Sequence, residues 1–98
     1  MGAKNNLSSY KLPDVVTIAE IEALHDALLA LMSSDSPTLD ASAVERIDTA
    51  ALQQLVAFNV ALQNINTELL WGACSDLFLA SVEQIGLKDA LGLKDQAA

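Results

Sequence analysis

The chain of 98 residues holds one cysteine, one histidine and two prolines, and aromatic side chains make up only 4% of it. Each scarcity excludes a class of protein. Cys74 has no second cysteine with which to close an intramolecular disulfide, and with His25 as the one histidine there is no zinc-type ligand set. Four per cent aromatics leaves little for modules that stack bases on exposed rings. Five Lys and Arg stand against 13 Asp and Glu, for a net charge of -8. Binding a phosphate backbone releases counterions through clustered cations, so nucleic acid is not an expected partner. The same charge disfavours anionic lipid surfaces. No uncharged apolar run approaches the ~18 residues of a membrane span, so direct membrane insertion is not expected. The stretch Met1 to Ser9 is polar and carries no signal-peptide core. A lone free thiol suits a reducing compartment, so the expected location is cytoplasmic. Neither a glycine-rich phosphate loop nor an EF-hand spacing is present, and no cofactor or metal is expected.

What the chain does have is aliphatic. Hydrophobic residues make up 52% and the mean hydropathy is +0.34, enough for one core of Leu, Ile, Val and Ala in a single domain spanning 1–98. Residues 1–6 have the character of a frayed or tag-derived start, and 94–98 that of a loose tail. Leu7 to Leu12 predicts an edge strand that stops at Pro13, and Val15-Val16 a second short strand after a Pro-Asp turn signal. Thr17 to Glu20 has the spacing of a capping box, so a helix is expected from there to about Met32. Its apolar stripe would be Ile18, Ile21, Leu24, Leu28, Leu31 and Met32, with Glu20, Glu22 and Asp26 outward. Ser33 to Pro37 ends it. Thr38 to Ala41 predicts a short buried strand, Ser42 to Asp48 a connecting loop, and Thr49 to Ile65 a second helix. Glu68 to Cys74 predicts a third core strand. Ser75-Asp76 opens a helix through Ile85, Gly86 and Leu87 form its stop, and Lys88 to Leu91 adds a last helical turn. Strands alternating with helices define an α/β class.

The second helix carries the most informative surface. Ala51, Leu55, Phe58, Leu62 and Ile65 recur at spacings of four and three and form a core stripe. At about 100° per residue, Thr49, Gln53, Val56 and Val60 fall on the opposite side. A solvated helix face ordinarily carries charge, yet Thr49 to Thr67 contains no charged residue. A charge-free face with two valines in line with Thr49 points to contact with another protein, although isolated exposed valines are also ordinary. Asp48 or Thr49 can equally serve only to cap the helix.

The stretch Asp40 to Leu52, with its Asp48-Thr49 pair opening a helix, resembles the signature region of STAS domains. The order of elements on both sides agrees, and the helix from Ser75-Asp76 to Gly86-Leu87 resembles the family's closing helix, so the likeness covers roughly residues 7–93. The resemblance implies an α/β STAS fold, with a small mixed sheet of about four strands packed with three to four α-helices. In anti-sigma factor antagonists the motif usually runs Asp-Ser-Ser-Gly-Leu-Gly, and its first Ser is phosphorylated by a partner kinase. Here Asp48 matches the Asp, and Thr49 matches the phosphoacceptor. Ala50, Ala51 and Gln53 replace the second Ser and both glycines. This variant is closer to STAS proteins of chemotaxis-type clusters or to the STAS subunit of phospholipid-type ABC transport systems.

The resemblance implies a non-enzymatic docking protein. Its expected partner is an anti-sigma factor or histidine-kinase-like protein, with Thr49 as phosphoacceptor candidate and Asp48, Thr49, Gln53, Val56 and Val60 as the partner-binding set. The alternative is an accessory subunit that docks on an ABC transporter ATPase, and a homodimer through the same face is a third reading. A phosphate on Thr49 would sit at the positive end of a helix and change the local charge by about -1.5 to -2. His25 has no nucleophile or carboxylate partner at recognisable spacing and is expected to pack at the core boundary. Cys74 is expected to behave as a small hydrophobe, and Trp71 to lie in the core or at a sheet edge.

Overall fold

A computed structural model describes residues 8–93; the expectations for 1–6, for Leu7 and for the tail at 94–98 lie outside the described residues. The elements, in chain order, are β1 (Ser9–Lys11), β2 (Val15–Val16), a 3-10 turn (Ile18–Glu20), α1 (Ile21–Leu31), β3 (Thr38–Ala41), β4 (Arg46–Ile47), α2 (Thr49–Asn64), β5 (Leu70–Cys74) and α3 (Asp76–Gln84). The α/β class is as expected, but the strands number five and fall in two groups. β1, β3 and β5 form a three-stranded sheet in that order, and β2 and β4 form a separate pair. Every pairing among the described residues is parallel.

β4 was expected to be loop. Its two residues pair Val15 with Arg46 and Val16 with Ile47, a ladder too short to leave a periodic trace in the sequence. Thr38 to Ala41 forms a strand with the expected bounds and lies at the sheet centre. Its burial alternates, with Leu39 and Ala41 inside and Thr38 and Asp40 half-buried on the other face, as a strand covered on one face requires. β5, within the strand expected at Glu68 to Cys74, lies at an edge of the sheet, and a bulge shifts its register between Leu39 and Ala41.

The core is one cluster of Leu24, Leu28 and Leu31 from α1, Ala51, Leu52, Leu55, Phe58 and Leu62 from α2, and Phe78 and Val82 from α3, closed by Leu12, Val16, Leu39, Val44, Leu69, Leu91 and Leu93. Of the stripe residues, Ile21 and Met32 pack half-buried against this cluster, and two are exposed. Ile18 is 66% exposed because it belongs to the 3-10 turn that precedes α1, whose tighter winding rotates it off the stripe. Ile65 is 51% exposed because α2 ends at Asn64, leaving Ile65 as the C-cap with φ −111 and ψ 22. After α3, Gly86 adopts φ +73, and Leu87 N–H donates to the Val82 carbonyl while Gly86 N–H donates to Glu83. That is the expected helix stop, in which a residue without Cβ takes the left-handed conformation. Residues 88–90 form turns, and Leu91 N–H donates to the Leu87 carbonyl.

The chain makes the unit strand–strand–helix twice. Because β2 and β4 run parallel and in register, the residues that follow them, Thr17 and Asp48, emerge at the same end. Two helix N-termini therefore lie side by side. That placement creates the candidate site.

Candidate docking site at the paired helix N-termini

Asp48 precedes α2 with extended backbone (φ −107, ψ 174) and uses both carboxylate oxygens. Oδ1 accepts from the Ala51 N–H at 3.0 Å, the N-cap bond of α2. Oδ2 accepts from the Ile18 N–H at 2.9 Å, across to the neighbouring turn. Its own N–H donates to the Val16 carbonyl at 3.2 Å, and its carbonyl accepts from Leu52. Asp48 is thus committed to holding the corner together.

The neighbouring turn is equally fixed. The Thr17 N–H and hydroxyl both donate to Glu20 Oε1, at 2.8 and 2.7 Å, and Glu20 N–H donates to the Thr17 carbonyl at 2.9 Å. The expected capping box is present, but it winds a 3-10 turn ahead of α1. Hydrogen bonds from the Thr17 hydroxyl and then the Thr17 N–H hold the Glu20 carboxyl below the ordinary value of 4.5, so it stays ionised at neutral pH.

Thr49 is the first residue of α2 and is exposed. Its hydroxyl makes no hydrogen bond among the described residues, so the fold leaves it free. Gln53 is exposed one turn on, and Val60 is 48% exposed. Val56, expected on the same outer face, is half-buried against the core instead; it lies toward the side of α2 that carries the buried Asn59 and so forms the margin of the surface. The structure brings Thr49, Gln53 and Val60 onto one uncharged face. Asp48 stands behind them as a scaffold.

Three placements were not anticipated from the sequence. Ile18 stands at the corner as the most exposed large hydrophobe. His25 is exposed rather than packed, and its Nδ1 lies 3.2 Å from Gln54 Nε2, within hydrogen-bond reach. This contact couples α1 to α2 one to two turns behind the corner. Asn59, 5% exposed, donates through Nδ2 to the Ala90 carbonyl at 2.8 Å, and Trp71 Nε1 donates to Leu91 O at 2.7 Å. These bonds tie down the segment after α3, and beside them an open polar cleft of about 380 Å³ is lined by Asn59, Gln63, Asn66, Glu68 and Asp89. The cleft lies beside the C-terminal half of α2, away from Thr49. The one visible signal for Asn59 was its place next to Phe58, four residues after Leu55, at the margin of the apolar stripe.

Cys74 is half-buried, and burial, with a lesser push from the Asp40 charge, raises its thiol pKa to about 11. No group of three or more His, Cys, Asp or Glu that could hold a metal ion occurs among the described residues. No helix among them is long and apolar enough to cross a membrane.

The layered α/β unit is the fold class that the sequence resemblance implied. Residues 9–93 match the family model described as Mlab, STAS domain, and the chain belongs to the STAS domain family. No curated protein and no solved structure matches it.

Proposed function

We propose that this STAS domain is a cytoplasmic, non-enzymatic regulator that docks onto a partner protein through the N-terminal end of α2 and the face formed by Thr49, Gln53 and Val60. The observation that carries this reading is the contrast at the corner. Asp48 makes two side-chain hydrogen bonds within the fold, whereas the adjacent Thr49 is exposed at the head of an uncharged helix. A residue with no structural duty at a rigid, solvent-facing corner is available for recognition.

The pathway we favour is partner switching with an anti-sigma factor or histidine-kinase-like protein, with Thr49 as the phosphoacceptor. A phosphate there would meet the positive end of α2 and be stabilised by it, while its added charge would change what the face can bind. The test is incubation with the kinase encoded near this gene, followed by intact mass, with Thr49→Ala as control. A mass gain of one phosphate that Thr49→Ala abolishes supports the switch. Tight binding with no mass gain, and no effect of Thr49→Glu, overturns it. In the second reading the same face docks constitutively on the ATPase of a phospholipid-type ABC transporter; replacement of the second Ser and both glycines by Ala50, Ala51 and Gln53 favours this one. Co-purification of that ATPase, lost on Thr49→Arg, would establish it in place of the switch.

A further inference from the structure

We infer that Ile18 is the apolar anchor of the docking surface, and that it seats in an aliphatic pocket rimmed by Lys or Arg on the partner protein. The inference rests on the docking reading and adds to it the chemistry of the partner. Ile18 is 66% exposed, more than any other large hydrophobic residue among those described. Its backbone is pinned by the Asp48 carboxylate at 2.9 Å, and the turn that carries it is held by the Thr17–Glu20 bonds. An aliphatic side chain on a rigid turn loses little freedom when it is bound, and such preorganisation converts burial into affinity. The Asp48 bond also places Ile18 against the residue that precedes Thr49, so anchor and recognition threonine share one corner.

The surroundings set the partner's charge. Glu20 and Glu22 follow Ile18 on its own chain, and Asp48 touches it from the neighbouring element. Arg46 stands two positions before Asp48 on β4 and forms no ion pair among the described residues, where Lys88 with Glu83 is the one pair within 4.0 Å. Three carboxylates thus belong to the segments next to Ile18: Glu20 in its own turn, Glu22 in the first turn of α1, and Asp48 on the Ile18 N–H, on a chain whose net charge is -8. The uncharged helix α2 begins at Thr49, directly after Asp48. An apolar centre with a charged rim is the anatomy of a specific protein interface, and the complement of an acidic rim is a basic one.

The probe is the purified protein encoded beside this gene that the docking reading names, kinase-like or transporter ATPase. It is titrated calorimetrically against the full chain at low and high salt. The expected result is that Ile18→Ala weakens binding by about 10- to 30-fold. Glu22→Lys weakens it by several fold and flattens its salt dependence. Ile18→Ala keeps the parent thermal midpoint because its side chain is exposed, whereas Glu22→Lys lowers the midpoint slightly because it places a cation at the positive end of α1. Binding that Thr49→Arg weakens but that neither Ile18→Ala nor Ile18→Asp affects overturns the anchor and leaves the docking reading standing. Binding that does not weaken with salt overturns the basic rim. Absence of binding by the parent chain to either probe overturns the docking reading, and the anchor with it.

Discussion

Asp48 and Thr49 are adjacent and do different work, and substitution separates them. Asp48→Ala removes the cap of α2 and the acceptor for Ile18 N–H, so the chain should lose about 1–2 kcal/mol, seen as a lower urea midpoint with an unchanged slope. Thr49→Ala removes no hydrogen bond among the described residues and should stay within about 0.5 kcal/mol of the parent. Two carboxyls give the stability its acid limb. Glu20 is held low by Thr17, and Asp40 is held below its ordinary 3.8 by hydrogen bonds from Ser42. A carboxyl whose folded pKa is depressed stabilises the fold above its unfolded value and loses that contribution as pH falls through the folded one. Stability should therefore decline below about pH 4.5 and more steeply toward lower pH, and Glu20→Gln should make that acid limb shallower in a pH series of urea midpoints. Cys74, with its pKa raised to about 11, is a protonated thiol at neutral pH. Iodoacetamide should alkylate it slowly at pH 8, with a rate that keeps climbing beyond pH 10.

The helices differ in how openly their role showed in the sequence. α3 was plain: Ser75 caps it through Phe78 N–H at 3.0 Å, and Gly86 stops it in the left-handed region. A Cβ at Gly86 would meet nothing within 4 Å, so the cost of Gly86→Ala is conformational alone. It should be about 1 kcal/mol, read from thermal or urea unfolding. α2 was legible in extent and in its lack of charge, but its orientation was only partly so. The heptad-like stripe omitted Leu52 and Asn59, which are buried, and included Ile65, which is not. The reason is that α2 is covered from two sides, by α1 and the sheet and also by the segment at 88–93 that Asn59 holds. A wheel drawn for one buried face misplaces the margins of a helix buried on two, which is also why Val56 is half-buried. Val60→Lys should therefore leave stability within about 0.5 kcal/mol while disturbing any contact made by this face. Sedimentation of this variant beside the parent also tests the homodimer reading.

At the scale of the molecule, closure depends on the segment that follows α3. Leu91 and Leu93 are fully buried, and the Ala90 and Leu91 carbonyls accept from Asn59 and Trp71. Ending the chain at Leu87 would expose Trp71 and remove two buried leucines, each worth about 1.5–3 kcal/mol. Against a stability of about 5–15 kcal/mol for a domain of this kind, the truncated chain should unfold at much lower urea and show red-shifted tryptophan fluorescence. The sequence had suggested only a helical turn there, because two leucines in a short Gly-containing stretch carry no period.

The sequence by itself determined the α/β class, the order and nearly all the elements, the starts of α2 and α3 and the stop of α3, and the family signature at Asp48-Thr49. All of these follow from local chemistry: side-chain period, capping hydroxyls and carboxylates, and glycine where φ must be positive. Tertiary structure decided which capping group serves which turn, and so what the corner presents. Only the parallel in-register pairing of β2 with β4 brings Thr17 beside Asp48. That contact occupies Asp48, leaves Thr49 free and turns Ile18 out to solvent. Such a contact joins residues about thirty positions apart through strands of two residues, and a ladder that short has no periodicity for the sequence to display.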